Sequence, residues 1–135
     1  MTANYNTSDP TFGTVDLDDR YVTDPWLIDQ FVGNQFWTWG RNAYGQLGLN
    51  DTTDRSSPVQ VGALTNWRQI TGGYNYTSAI KTDGTLWTWG RNAYGQLGLG
   101  DSTNRSSPVQ VGSLTNWRQV ANGFNHPLAI QDGYF

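Results

Sequence analysis

Residues Trp37-Thr38-Trp39-Gly40-Arg41-Asn42-Ala43-Tyr44-Gly45-Gln46-Leu47-Gly48-Leu49 recur without a change from Trp87 to Leu99, about fifty residues further along the chain. The copying continues beyond that string. Arg55 to Gly62 returns as Arg105 to Gly112, and Leu64 to Gln69 returns as Leu114 to Gln119. A unit repeating at this period is one supersecondary element that cannot bury its apolar face alone, so such a chain must stack layer upon layer.

Within one unit the apolar runs are short and interrupted by turn residues, which suits several short strands and leaves no room for a helix. Four strands per copy are expected, near Phe36 to Trp39, Val59 to Val61, Trp67 to Ile70 and Thr77 to Lys81. Lys81-Thr82-Asp83-Gly84-Thr85-Leu86 reads as an Asp-Gly hairpin with a primed turn. Composition agrees with an all-β chain. Gly 16, Trp 7 and Tyr 7 stand beside Met 1, and every acidic residue is Asp; Gly and Asp favour turns, while aromatics favour pleated surfaces.

Trp37 and Trp39, two residues apart, fall on one face of a strand. Gly40, Gly45 and Gly48 then read as sites of positive φ or close backbone approach. A phosphate loop needs Lys-Ser/Thr and a following helix, and Gly45-Gln46-Leu47-Gly48 has neither. The string Leu86 to Asp101, with Arg105-Ser106-Ser107-Pro108-Val109 after it, resembles the repeat of the regulator of chromosome condensation family. That resemblance covers about three-quarters of the chain. It implies four-stranded β-propeller blades set radially around an axis, usually seven to a ring. Two copies here imply two four-stranded blades, residues 36–85 and 86–135, either open or completed by oligomerisation. The founding members act in nucleotide exchange and chromatin binding through loops and tails for which this sequence offers no matching residues.

Residues 1–35 fall outside the repeat. Asp9, Asp16, Asp18, Asp19, Asp24 and Asp29 face only Arg20 there, within a chain of net charge -3. Nucleic-acid binding requires a Lys/Arg stripe that releases counterions, and the sequence has none. Asp24 as N-cap, Pro25 at the first helical position and Gly33 beyond the end predict a short helix near 25–32. Two turns are unstable alone, so Trp26, Leu27 and Phe31 are expected to dock on the repeats or on another protein. Asp16 to Thr23 is similar to leaders of structural proteins of tailed bacteriophages, which implies an anchoring arm and a location in the virion. No signal peptide and no apolar run of about eighteen residues is present, so neither export nor membrane insertion is expected.

Little in the sequence speaks for catalysis. The single His126 replaces Tyr76 of the first copy, with no spacing that proposes a triad. No cysteine exists to build a disulfide or thiolate site. Asp51-Thr52-Thr53-Asp54 and Asp101-Ser102-Thr103-Asn104 lack the alternating oxygen ligands and final Glu of a calcium loop and read as Asx-turns, with Arg55 and Arg105 as partners. No enzyme activity, cofactor or metal is expected. Exposed aromatics instead suit binding, and the candidate interaction residues are Trp26, Leu27, Phe31, Phe36, Trp37, Tyr44, Tyr94, Tyr134 and Phe135. Trp39 and Trp89 read as packing, and Tyr74 and Phe124 are open. The expected partners are further copies of the chain, possibly as a trimer, and other virion structural proteins, with a host-surface glycan or protein as the alternative.

Overall fold

The computed structural model describes residues 34–63 and 66–133. Eight strands follow one another: β1 (Trp37–Gly40), β2 (Arg55–Gln60), β3 (Trp67–Gly72), β4 (Tyr76–Lys81), β5 (Leu86–Gly90), β6 (Arg105–Gln110), β7 (Trp117–Asn122) and β8 (Pro127–Gln131). No helix occurs among the described residues. The expected helix near 25–32 and the arm lie outside them.

All pairings are antiparallel, in one four-stranded sheet ordered β3-β4-β5-β6 and two flanking pairs, β1-β2 and β7-β8. The all-β, propeller-type architecture expected from the repeat is present. Its grouping differs from two blades over 36–85 and 86–135. The complete sheet takes its first two strands from the first repeat and its last two from the second. The reason is the turn after β4. Neighbouring antiparallel strands are joined by short hairpins, and the hairpin at Asp83-Gly84 spans the repeat boundary, with Ala79 opposite Trp87 and Ile80 opposite Leu86. One whole blade therefore stands between two half-blades.

That hairpin is not a primed turn. Gly84 N–H donates to Lys81 O at 2.9 Å and Lys81 N–H to Thr85 O at 3.0 Å, and only Gly84, at φ 85, enters the left-handed region. A turn of ordinary hand closed by a left-handed glycine is the three-residue solution, and Asp83 spends its carboxylate on the Thr85 N–H (3.0 Å) and hydroxyl (2.6 Å). The strands β2 and β6 begin at Arg55 and Arg105, four residues before the expected start. Their Pro58 and Pro108 are tolerated because β6 is the outer edge of the sheet.

Two apolar cores lie between the layers. Phe36, Val61, Trp67, Ala79 and Trp89 form the first, with Leu49 and Trp87 against it; Ile80, Leu86 and Val120 form the second, flanked by Val111 and Trp117. Trp87 and Trp89 share a face, as the two-residue spacing requires. Trp89 is fully buried, its ring 5.7 Å from Phe36 and 5.9 Å from Trp67, and its indole N–H donates to Gln46 O at 2.9 Å. Between the whole blade and β7, the Gln69 side-chain amide donates to Val120 O (3.0 Å) and accepts from Val120 N–H (3.2 Å). The Tyr76 hydroxyl donates to Gly123 O at 2.9 Å, and burial raises the Tyr76 phenol above its ordinary pKa despite that bond.

Trp89→Ala removes the ring that joins two layers and leaves Gln46 O with the Thr77 hydroxyl as its remaining donor. A loss of about 3–5 kcal/mol is expected, read as a lower urea midpoint in equilibrium unfolding followed by far-ultraviolet circular dichroism.

Candidate interaction surface

The β3–β4 loop (73–75), its repeat counterpart (123–125), the β5–β6 loop (91–104) and its counterpart (41–54) gather at one end of the layers. Arg91 N–H donates to Asn75 O at 2.8 Å, and the Gln46 amide to Asn75 Oδ1 at 3.0 Å, tying the long loops to the short ones.

Each long loop is organised by one buried asparagine. The Asn92 amide donates to Asp101 O, Asp101 Oδ1 and Thr103 O, each at 3.0 Å, and its Oδ1 accepts from Leu97 N–H at 3.0 Å. Asn42 repeats the set on Asp51, Thr53 and Leu47. Asp51 Oδ1 accepts from Thr53 N–H at 3.0 Å, the Asx-turn read from sequence, and Arg55 pairs with Asp51 Oδ2 at 2.8 Å; Asp101 and Arg105 do the same. Hydrogen bonding from Arg55, then from the Thr53 amide, holds the Asp51 carboxyl below its ordinary pKa; Arg105 and Thr103 act likewise on Asp101. Among the described residues no three His, Cys, Asp or Glu side chains gather to hold a metal.

On this rigid base aromatics project outward. Tyr74 and Phe124 stack at 4.2 Å with an interplanar angle of 16°, and Phe124 is 62% exposed. The Arg91 guanidinium lies 5.4 Å from both the Tyr44 and Tyr94 ring centroids, with Tyr94 66% exposed. A cation between two ring faces is attracted by both quadrupoles and leaves its outward N–H groups for an acceptor.

The structure thus joins Tyr44 and Tyr94 through Arg91 and adds the Tyr74–Phe124 stack. Trp37 is exposed on β1, where it lines an open cleft with Trp39, Gly72 and Tyr76. Phe36 belongs to the core: it is 4% exposed and packs edge-on against Trp67. Trp26, Leu27, Phe31, Tyr134 and Phe135 lie outside the described residues. Sequence reasoning passed over Arg91. The signal was the spacing Arg-x-x-Tyr within one loop, but the second tyrosine comes from the other repeat.

Short antiparallel sheets of up to four strands, one per repeat period and packed layer on layer, are the architecture of a β-propeller repeat protein. The regulator of chromosome condensation (RCC1) repeat model matches residues 34–80 and 83–130, and a second model of that repeat matches 67–96. The chain belongs to this family. It is 41% identical over 51 residues to the ultraviolet-B receptor UVR8 of Arabidopsis thaliana, a stretch covering 36% of this chain and 12% of the receptor. Human WBSCR16 superposes with a TM-score of 0.64 at 27% identity over 73% of this chain and 26% of its own. Yeast RCC1 (Prp20), solved bound to Kap60, gives 0.63 at 21% over 72% and 26%. Prp20p of Saccharomyces cerevisiae, described with its binding to Gsp1p and histones, gives 0.64 at 22% over 73% and 27%. The chain spans about a quarter of the length of these solved relatives.

Asn92→Leu keeps the branched shape but strands the Asp101 carbonyl and the Leu97 N–H, while Thr103 O keeps the Arg105 guanidinium at 2.7 Å. A loss of about 2–4 kcal/mol is expected, with a lowered urea midpoint as the readout. Acid acts on the same loops. Because Asp51 and Asp101 have lowered folded pKa values, their contribution is complete above the unfolded carboxylate pKa and is lost as pH falls through the folded values. The thermal midpoint should hold steady from neutrality to about pH 5 and fall below about pH 4, less steeply in Asp101→Asn.

Proposed function

We propose that this chain is a non-enzymatic protein-interaction module whose contact surface is the loop end carrying Tyr74, Phe124, Tyr44, Arg91 and Tyr94. The observation that carries this reading is the Tyr44–Arg91–Tyr94 sandwich beside the exposed Tyr74–Phe124 stack. Tyrosine and arginine dominate protein hot spots because they offer large contact area and directed hydrogen bonds at small conformational cost. The acids of the face are engaged by Arg55, Arg105 and Asx-turns, which supports binding over acid–base chemistry. Arg41 and Arg91 then favour a partner that presents carboxylates beside apolar groups. Yeast RCC1 was solved bound to Kap60, and the Prp20p structure is described with Gsp1p and histone binding, which makes protein partners a natural use of the fold.

The likeness of Asp16 to Thr23 to phage leaders favours one setting for such a module: a structural component of a tailed-phage virion, fibre, decoration or adaptor, anchored by its arm and displaying the loop end. Mass spectrometry of purified virions from the source should then find the chain in stoichiometric amounts. Its absence removes the virion setting and leaves the interaction module standing.

The module itself is tested with a photo-crosslinking amino acid placed at Tyr94 and, as a control, at Asp83 on the opposite end. Crosslinking to a stoichiometric protein is expected only from position 94, and is expected to drop at least tenfold in Arg91→Ala. Equal capture from both positions would overturn the assignment of this face.

A further inference from the structure

The two half-blades are complementary halves of one blade, and we propose that β7-β8 of one copy of this chain pairs with β1-β2 of a second copy, head to tail, until the copies close into a ring. The whole blade supplies the template. β4 pairs with β5, and β8 and β1 are their repeat counterparts, each with an edge that no described strand occupies. Transferred by repeat position, the register sets Pro127 opposite Trp39, Leu128 opposite Thr38, Ala129 opposite Trp37 and Ile130 opposite Phe36.

Burial points to the same joint. Trp89 and Ile80 are fully buried, whereas their counterparts Trp39 and Ile130 are 58% and 48% exposed. The second core repeats three positions of the first, with Leu86, Val111 and Trp117 standing for Phe36, Val61 and Trp67, but nothing in it stands for Trp89. Trp39 of a second copy fills that place. The glycines show where it would rest. A Cβ on Gly48 would meet Trp89 Nε1 at 2.7 Å, and one on Gly45 would meet Ser106 Cα at 2.5 Å; on the equivalent Gly98 and Gly95 the nearest atoms are 3.7 and 4.0 Å away. The second repeat keeps glycines that leave room for a neighbour, and Trp39 and Ser56 of a second copy are that neighbour. Gln96 Nε2 and Asn125 Oδ1 are buried without partners, while their counterparts Gln46 and Asn75 bond at 3.0 Å. Gly90 packs on Asn75 and Gln46; Gly40 of the second copy would pack in the same way on Asn125 and Gln96.

The inner strands agree. Gly73 N–H donates to Tyr76 O, so with alternating pairs the N–H and C=O of Ile70 point away from β4, as those of Val120 point to the Gln69 amide. The exposed Gln119 of one copy would meet Ile70 of the next, entering the open cleft of about 360 Å³ lined by Trp37, Trp39, Gly72, Gly73 and Tyr76. Phe124 would likewise stack on Tyr74 of the next copy. The joint is weaker than its template at two places. Pro127 lacks the N–H and hydroxyl of Thr77, whose hydroxyl donates to Gln46 O at 2.8 Å, and Ala121 against Gly72 replaces the bonds of Thr71 with Asn122.

The described strands of each copy make two blades in sum, so a ring closed by these strands holds an even number. Relatives about four times the matched length place six or eight blades, three or four copies, nearest to their ring. Light scattering after size exclusion of the full chain at tens of micromolar should give three or four times the 15.1 kDa of one chain. The Ala129 N–H faces the joint and has no partner among the described residues of its own copy, so Ala129→Pro should leave the circular dichroism unchanged and reduce the mass to one chain; Trp39→Ala should do the same. A covalent readout covers the case in which a variant misfolds. The chain has no cysteine, so the pair Leu128→Cys with Thr38→Cys should form intermolecular disulfide ladders on a non-reducing gel, and Ile130→Cys with Thr38→Cys should form none. A wild-type monomer or dimer, an oligomer that persists in folded Ala129→Pro, or equal crosslinking by both cysteine pairs would overturn the proposal.

Discussion

The Trp89 indole holds the molecule together at the point where its two repeats become one structure. It belongs to the second repeat by sequence, sits in a sheet begun by the first, and fills the gap between that sheet and β1-β2 against Phe36 and Trp67. Its N–H reaches Gln46 O, which also receives the Thr77 hydroxyl. Burial of so large a ring supplies much of the apolar driving force, and the hydrogen bond fixes the height at which the layers meet. The positions of the loops, and so of Tyr44 and Arg91, follow from that height.

The loop surface is rigid for a separate reason. Asn42 and Asn92 satisfy backbone groups that would otherwise be stranded beneath two long loops, and the ion pairs Asp51–Arg55 and Asp101–Arg105 close the outside of each. Exposed ion pairs add little stability; their effect here is to fix the shape of the turn. The aromatic side chains are thus carried on backbone that is already ordered, which lowers the entropy lost when a partner binds.

Most strands were legible because apolar alternation survives even in short segments: Trp67 to Ile70 and Thr77 to Lys81 fall within the observed β3 and β4. The Asx-turns were legible because Asp-x-Thr has few other uses in a loop. What escaped the sequence was relational. Ser56-Ser57-Pro58 has no apolar pattern, since an outer strand need bury little, so β2 was expected to start too late. The primed form of the Asp83-Gly84 turn was expected from the dipeptide alone, whereas the register of β4 on β5 selects the three-residue loop. Phe36 was counted as an interaction residue from its aromatic type, and only its place between Trp67 and Trp89 shows it to be core. The Arg91 sandwich needs tyrosines from both repeats, a proximity that no single window of sequence contains.

The offset between the repeat in sequence and the blade in space bears on how such a chain can change in length. Duplication or deletion of one whole repeat by unequal recombination leaves β1-β2 at one margin and a β7-β8 equivalent at the other. Every resulting run of repeats has the same pair of margins and differs only in the number of whole blades between them. Gene length can therefore vary in steps of one repeat without creating a new kind of edge, because the repeat boundary runs through a hydrogen-bonded sheet instead of between two side-chain surfaces.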